Sequence, residues 1–235
     1  ATGAVVDPVA RDFDAYWNSA SAYPHELLVT PPSDLAALDT ASAEAQADPD
    51  TATYAQSVSD SRLVQDLLGP SLALDWVPVT LLSDDPGKAL GEAPAGTLVA
   101  TALGPLVGQA RQSIDVISAY FVPGREGTER LAYAARQGLR VRILTNSLEA
   151  TDVLPVHAAY GKYRQPLLSS GVQIYELRRT PRTEEERKAL GLLGSSGASL
   201  HAKVFAIDRR AVFVGSFNFD PRSVWLNCEM GFWIE

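Results

Sequence analysis

The chain has 235 residues, 46% hydrophobic and 20% charged, which is typical of a globular protein with one large or two small domains. Its formal charge of −8 is uneven, because residues 1–100 carry 15 acidic and three basic side chains, whereas residues 101–235 carry 13 acidic and 17 basic. This balance excludes the strongly basic surface of a typical nucleic-acid-binding protein. The single cysteine, Cys228, excludes an internal disulfide bond.

The first third of the chain is mainly helical in pattern. Asp7 and Pro8 are typical of a helix start, and apolar residues at helical spacing predict a helix over residues 8–18. Residues 30–60 are rich in Ala, Asp and Ser and predict one or two acidic surface helices. A further helix is expected over 60–69, and an apolar run predicts a strand over 72–82.

From residue 96 onwards, helical and strand patterns alternate. The predicted helices are 98–111, 125–138 and 152–170, and the predicted strands are 113–121, 139–146, 172–177 and 225–234. Helices between strands indicate an α/β layered sandwich, with a mixed, mostly parallel sheet, an antiparallel hairpin and helices on both faces. We therefore expect a leading helical, acidic segment over 1–95 and the functional domain over 96–235.

The stretch 199–223 concentrates polar side chains on a predicted strand, turn and strand. His201 and Lys203 are two residues apart, so they share one face of the first strand. Asp208 falls in the turn, and Gly215, Ser216 and Asn218 follow the second strand. An imidazole, an ammonium, a hydroxyl and an amide at one end of a hairpin suit a phosphate ester better than a metal or an acyl group.

Each of these side chains has a chemical role open to it. His201 is a candidate nucleophile or general acid/base. Lys203 would neutralise phosphate oxygens, and Ser216 and Asn218 would donate hydrogen bonds as charge develops in the transition state. Asp208 either orients the hairpin or pairs with His201 or Lys203, and the sequence leaves these alternatives open.

The spacing of these residues resembles the signature of the phospholipase D superfamily. The pattern His-x-Lys, four residues, Asp, six residues, Gly-Ser-x-Asn is matched at His201, Lys203, Asp208, Gly215, Ser216 and Asn218. Residues 117–177 are similar to the C-terminal half of bacterial cardiolipin synthases, especially their C-type branch. Residues 9–24 look like the segment that follows the first catalytic motif in those proteins.

The resemblance implies a mechanism and its partners. Two His-x-Lys motifs build one active site, where one histidine forms a phosphohistidine and the other protonates the leaving group. His201 would belong to the second motif, with general acid/base as its expected role. No metal or other cofactor is implied. The implied substrates are phospholipids such as phosphatidylglycerol, at the bacterial inner membrane with peripheral attachment, and no nucleic acid is expected.

The sequence departs from the family pattern because it contains one His-x-Lys motif rather than two. Both ends of the chain look cut, so we expect a C-terminal fragment that lacks its N-terminal half and is inactive alone. His157 does not replace the first motif, since no lysine lies two residues further on. His157, Tyr120, Asn146 and Glu229 are expected to contact substrate.

Two alternatives remain open at this point. One is a single-motif phosphodiesterase or nuclease of the same superfamily, which would dimerise to pair two copies of His201. The other is a non-catalytic half that binds phospholipid headgroups.

Overall fold

The computed structural model describes residues 3–30, 35–69, 72, 74–178 and 199–235. The chain divides into two compact units. One unit combines Ala1–Ala22 with Pro78–Glu235, and the other is Tyr23–Val77. The expected boundary at residue 95 does not follow this division, because a strand before that residue belongs to the sheet of the larger unit. The expected connection at 178–199 lies almost entirely outside the described residues.

The described residues of the smaller unit form three α-helices, α2 (Ala36–Ala47), α3 (Pro49–Ser59) and α4 (Arg62–Leu68). The helices expected within 30–60 and 60–69 are therefore confirmed. Helix α4 begins where the sequence offers a cap, because the hydroxyl of Ser61 accepts a hydrogen bond from the backbone N–H of Val64. None of the described residues of this unit is buried.

A seven-stranded mixed sheet forms the centre of the larger unit. Its strands are β1 (Val79–Ser83), β2 (Ser113–Ser118), β3 (Arg140–Asn146), β4 (Gln173–Leu177), β5 (Lys203–Ile207), β6 (Ala211–Gly215) and β7 (Met230–Ile234). They lie in the order β1-β7-β6-β5-β2-β3-β4. The mixed α/β class is confirmed, but the expectation of a mostly parallel sheet is wrong. Only β2–β3 and β3–β4 pair in parallel, and the other four pairs are antiparallel.

Helices cover both faces of this sheet. They are α1 (Val6–Trp17), α5 (Val99–Val107), α6 (Gly124–Arg136), α7 (Leu154–Ser169) and the short α8 (Pro221–Trp225). Helices α5, α6 and α7 share one core with the strands. Leu82 faces that core, so its neighbour Ser83 points to the other face, where its hydroxyl donates to Asp12 of α1.

The core explains why the central strands form where the sequence predicts them. Alternate residues of β2 and β5, such as Val116 and Phe205, are buried and lie opposite each other in the register. Two strand predictions were wrong in extent. Residues 74–78 do not belong to β1, and Trp225 ends α8 rather than starting β7. Trp225 is exposed, so no core contact holds it in a strand.

Candidate active site

The hairpin β5–β6 forms as the sequence predicts. The residues of its turn, Asp208 and Arg209, both have positive φ, at 53° and 56°. This conformation matches the twist of the two strands and is tolerated well by aspartate. His201 lies two residues before β5 rather than within it, and it is exposed. The turn and the histidine are thus at opposite ends of one five-residue strand.

Lys203 is the buried cation of the site. Lys203 is the first residue of β5 and is only 7% exposed. Its Nζ donates a hydrogen bond to the backbone oxygen of His201 at 2.7 Å. Burial lowers the pKa of the Lys203 ammonium, and nearby carboxylates raise that pKa in part. The carboxylates belong to Glu229, Asp152 and Asp220. A buried ammonium that contacts the backbone of an exposed histidine is suited to neutralising a bound phosphate.

Asn218 follows β6 and connects this part of the chain to the end of β2. Its Oδ1 accepts hydrogen bonds from the backbone N–H of Tyr120, at 3.2 Å, and from the hydroxyl of Ser118, at 3.4 Å. Its backbone N–H donates to the hydroxyl of Ser223 at 3.2 Å. The Nδ2 amide has no hydrogen bond within the described residues. Asn218 is therefore fixed through its oxygen and retains a donor for an anion.

Ser216 and Glu229 close the other side of the site. The hydroxyl of Ser216 donates to the carboxylate of Glu229 and accepts from the backbone N–H of Met230. Glu229 is 4% exposed, so this carboxylate is buried next to Lys203. We call residues 216–229 the site loop, because this segment carries Ser216, Asn218 and Glu229 between β6 and β7.

Close packing explains why position 215, the first of the Gly-Ser-x-Asn motif, is a glycine. Gly215 lies opposite Gly231 in the β6–β7 pair. A Cβ atom at Gly215 would clash with the backbone oxygen of Met230, and it would lie 2.6 Å from the Cα of Gly231 and 2.9 Å from the ring of Phe213. The two strands can approach this closely at the start of the site loop only if residue 215 has no side chain.

Asp208 lies away from the reacting groups. Its carboxylate accepts from the backbone N–H groups of Arg111, Gln112 and Ser113, at 2.7–2.9 Å. These hydrogen bonds, the one from Ser113 above all, lower the pKa of Asp208. Of the alternatives that the sequence left open, the structure supports orientation of the hairpin. The grouping of Asp208 with the catalytic residues is corrected accordingly, because its carboxylate fastens the start of β2 to the turn.

Asn146 is also a positioning residue. It is 3% exposed at the end of β3, and its Nδ2 donates to the backbone oxygens of Ala119 and Leu200. Its Oδ1 accepts from the backbone N–H of Leu200 at 2.9 Å. The expectation of substrate contact is corrected for this residue, because the amide is occupied in fastening the segment that immediately precedes His201.

Tyr120 and His157 lie beside the site. The hydroxyl of Tyr120 donates to both carboxylate oxygens of Asp152 at 2.9 Å. The pKa of Tyr120 is raised to about 12, mainly by burial and to a smaller extent by the hydrogen bond to Asp152. His157 packs against the ring of Tyr160 at 5.4 Å and lines a cavity of about 10 Å³ that also reaches Asn146. That volume suits one water molecule and no headgroup.

The sequence missed several polar residues of the site. They are Ser118, Asp152, Asp220 and Ser223 around Lys203 and Asn218, and Asp84 and Lys88 behind Glu229. Only Asp220 had a readable signal, because an aspartate before a proline is typical of a helix cap, and its carboxylate does accept from the backbone N–H of Ser223. Burial raises the pKa of Asp220.

The described ranges hold neither a candidate metal cluster nor a candidate membrane span. They contain no cluster of three or more His, Cys, Asp or Glu residues that could hold a metal ion. They also contain no helix that is long and apolar enough to cross a membrane.

The chain was then compared with known proteins. Residues 104–235 match the family described as "Cardiolipin synthase, PLD-like domain". Cardiolipin synthase C of Escherichia coli K12 is 44% identical over 236 aligned positions, which cover 100% of this chain and 50% of that protein. Cardiolipin synthase B of the same organism is 32% identical over 121 residues, covering 52% of this chain and 24% of that protein.

Among solved structures, phosphatidylserine synthase of Haemophilus influenzae Rd KW20 covers 98% of this chain and 48% of its own, with a TM-score of 0.53. At 18% identity this likeness shows the fold. The chain spans at most about half the length of these relatives. With the family matched over more than half of its residues, the chain belongs to the cardiolipin synthase type of phospholipase D-like domains.

Proposed function

We propose that this chain supplies one of the two His-x-Lys motifs of a cardiolipin synthase-like phosphatidyltransferase. The observation that carries the proposal is the buried Lys203, whose ammonium donates to the backbone oxygen of the exposed His201. Asn218, whose amide is fixed through its oxygen, adds a second donor from the same motif. The 44% identity with cardiolipin synthase C over the whole chain supports the same activity. A second His-x-Lys motif would come from another segment of a longer protein.

The proposed reaction has two steps. The histidine of the other His-x-Lys motif, which this chain does not contain, attacks the phosphorus of a phospholipid such as phosphatidylglycerol, which forms a P–N bond and breaks the P–O bond to the headgroup alcohol. His201, as general acid, donates the proton that the leaving alkoxide takes. His201 then removes a proton from the hydroxyl of water or of a second phosphatidylglycerol, whose oxygen attacks phosphorus and breaks the P–N bond.

The chain's other polar groups stabilise charge in both steps. Lys203 and the Nδ2 donor of Asn218 offset the negative charge that builds on the phosphoryl oxygens. Ser216 and Glu229 hold that end of the site in place. Because the substrates are membrane lipids, we expect the protein to work at a membrane surface by peripheral attachment.

The test uses the purified chain alone and the chain combined with the half of cardiolipin synthase C that this chain does not cover. With phosphatidylglycerol vesicles, we expect lipid products only from the combination. His201→Ala should lower that rate by at least about 100-fold, the contribution of a general acid/base. His25→Ala, an exposed histidine of the smaller unit, is the matched control.

Two results would contradict the proposal. Turnover by the monomeric chain alone, abolished by His201→Ala, would show that one motif suffices. Turnover by the combined halves that survives His201→Ala would remove His201 from the chemistry.

A further inference from the structure

A buried ion pair lies behind the site loop. Asp84 directly follows β1, and Lys88 lies four residues later in a 3₁₀ turn, Pro86–Leu90. The two side chains are 1% and 5% exposed as residues, and Lys88 Nζ lies 2.5 Å from Asp84 Oδ2. Both residues precede residue 104, so they lie outside the segment that the family match covers.

The pair is bonded to the site loop at two points. Asp84 Oδ2 accepts from the backbone N–H of Glu229 at 2.8 Å, and the backbone N–H of Asp84 donates to the oxygen of Glu229 at 2.9 Å. Lys88 Nζ donates to the backbone oxygen of Ser223 at 2.8 Å. The second carboxylate oxygen of Asp84 accepts from the backbone N–H of Val99 at 2.7 Å, which anchors the pair to the start of α5.

Both attachment points lead directly to groups of the site. The hydroxyl of Ser223 accepts from the backbone N–H of Asn218, so a shift of Ser223 would move the backbone that carries the Asn218 side chain. The side chain of Glu229 accepts from Ser216 and acts electrostatically on Lys203. A displacement at Asp84 or Lys88 would therefore reach Asn218 through one backbone contact and Lys203 through the other.

Stability alone gives little reason for such a pair. Removing two charges from water costs several kcal/mol, and replacing a buried ion pair with neutral groups of similar size is often neutral or stabilising. Its hydrogen bonds to Glu229 and Ser223 indicate instead that the pair fixes the position of the site loop. We propose that Asp84 and Lys88 are positioning residues, which hold Glu229 and Asn218 at the phosphate site by clamping the two ends of the segment 223–229.

This inference deepens the proposed function, because it takes the site around Lys203 to bind phosphate. The test therefore includes one measurement that needs no ligand. The sequence contains only four lysines, at positions 88, 162, 188 and 203, so the side-chain signals of ¹³C-labelled lysine can be assigned with Lys203→Arg. Lys203 then reports the site from within the complete chain.

The main variant is Asp84→Asn combined with Lys88→Met, which removes both charges and keeps both volumes close to the originals. A second double variant, Asp84→Asn combined with Lys88→Gln, also removes both charges but retains an amide donor at position 88, and it decides the question if the first double variant does not fold. The matched control is Glu126→Gln combined with Arg130→Met, which removes an exposed ion pair of the same i,i+4 spacing on α6.

The expected result separates positioning from stability. In the folded variant, the pKa of Lys203 should fall further, because Glu229 no longer holds its charge beside the ammonium. Titration with inorganic phosphate should show about tenfold weaker binding, the loss expected for one charge-assisted hydrogen bond. The control pair should change neither quantity.

An unchanged or raised pKa of Lys203 in a folded variant would overturn the positioning role, whatever the melting temperature. If the unaltered chain binds no inorganic phosphate, the proposed function loses its support, while the pKa comparison still decides the role of the pair.

Discussion

The replacement of Asn146 by alanine tests how the histidine segment is held. Asn146 makes three hydrogen bonds, to the oxygens of Ala119 and Leu200 and from the N–H of Leu200. Each is worth about 1 kcal/mol net, so Asn146→Ala should lower the free energy of unfolding of the larger unit by about 3 kcal/mol. For a chain of this size, that corresponds to a fall of about 9 °C in melting temperature.

Calorimetry measures the fall in melting temperature and in the free energy of unfolding. Faster hydrogen exchange at the Leu200 amide would show that the segment before His201 is the part that has loosened. The matched control is Asn18→Ala, because Asn18 donates from Nδ2 to the oxygen of Asp14 at the exposed end of α1. It should cost less than about 0.5 kcal/mol. Asn146→Ala with no greater effect than this control, and with unchanged exchange at Leu200, would refute the reasoning.

Asn146→Asp extends the same test to pH. It keeps the acceptor for Leu200 but places a carboxylate against two carbonyl oxygens, which raises its pKa in the folded state above that of the unfolded chain. The variant should therefore regain part of its stability as the pH falls through that raised pKa, because the protonated carboxyl can donate again. Stability that does not recover in acid would count against donation to these two carbonyls.

Two further predictions concern Asp208 and Tyr120. The lowered pKa of Asp208 means that its contribution to stability is complete above the unfolded value of about 3.9 and is lost as the pH falls through the lower folded value. Asp208→Asn should consequently flatten the acid side of the profile of melting temperature against pH, and an unchanged profile would contradict this. The raised pKa of Tyr120, about 12, predicts that its phenol does not ionise below about pH 11. The near-ultraviolet absorbance difference between the unaltered chain and Tyr120→Phe should show no phenolate signal up to that pH, and an earlier signal would contradict the combined effect of burial and the Asp152 hydrogen bond.

The sequence predicts best what depends on neighbouring residues. The hairpin, its turn at Asp208 and the start of β5 at Lys203 are local patterns and form where the sequence predicts them, whereas His201 lies just before β5 rather than on it. The parallel β2–β3–β4 part of the sheet follows in the same way from the helices between its strands.

Contacts between segments that are far apart in the chain could not be predicted from the sequence. Asp84 and Lys88 read as an ordinary turn, because nothing near them in the chain indicates that Glu229 and Ser223 will pack against them. Asn146 looked like a residue that contacts substrate, since polar side chains at the ends of parallel strands often do, yet its amide is used on Leu200. The antiparallel share of the sheet was underestimated, because β1 pairs with the last strand, β7, and β2 pairs antiparallel with β5, and both pairs join segments that are far apart in the chain.

That pairing has a consequence for how the protein is made. Asp84 and Glu229 are 145 positions apart, so closing the chain between them costs about 2 kcal/mol more entropy than closing a ten-residue loop. Strands β2 and β3, with the helix between them, can assemble while the ribosome is still translating the rest. The groups around Lys203 can settle only after β7 has emerged, so the geometry of the candidate site is expected to be among the last features that form in this chain.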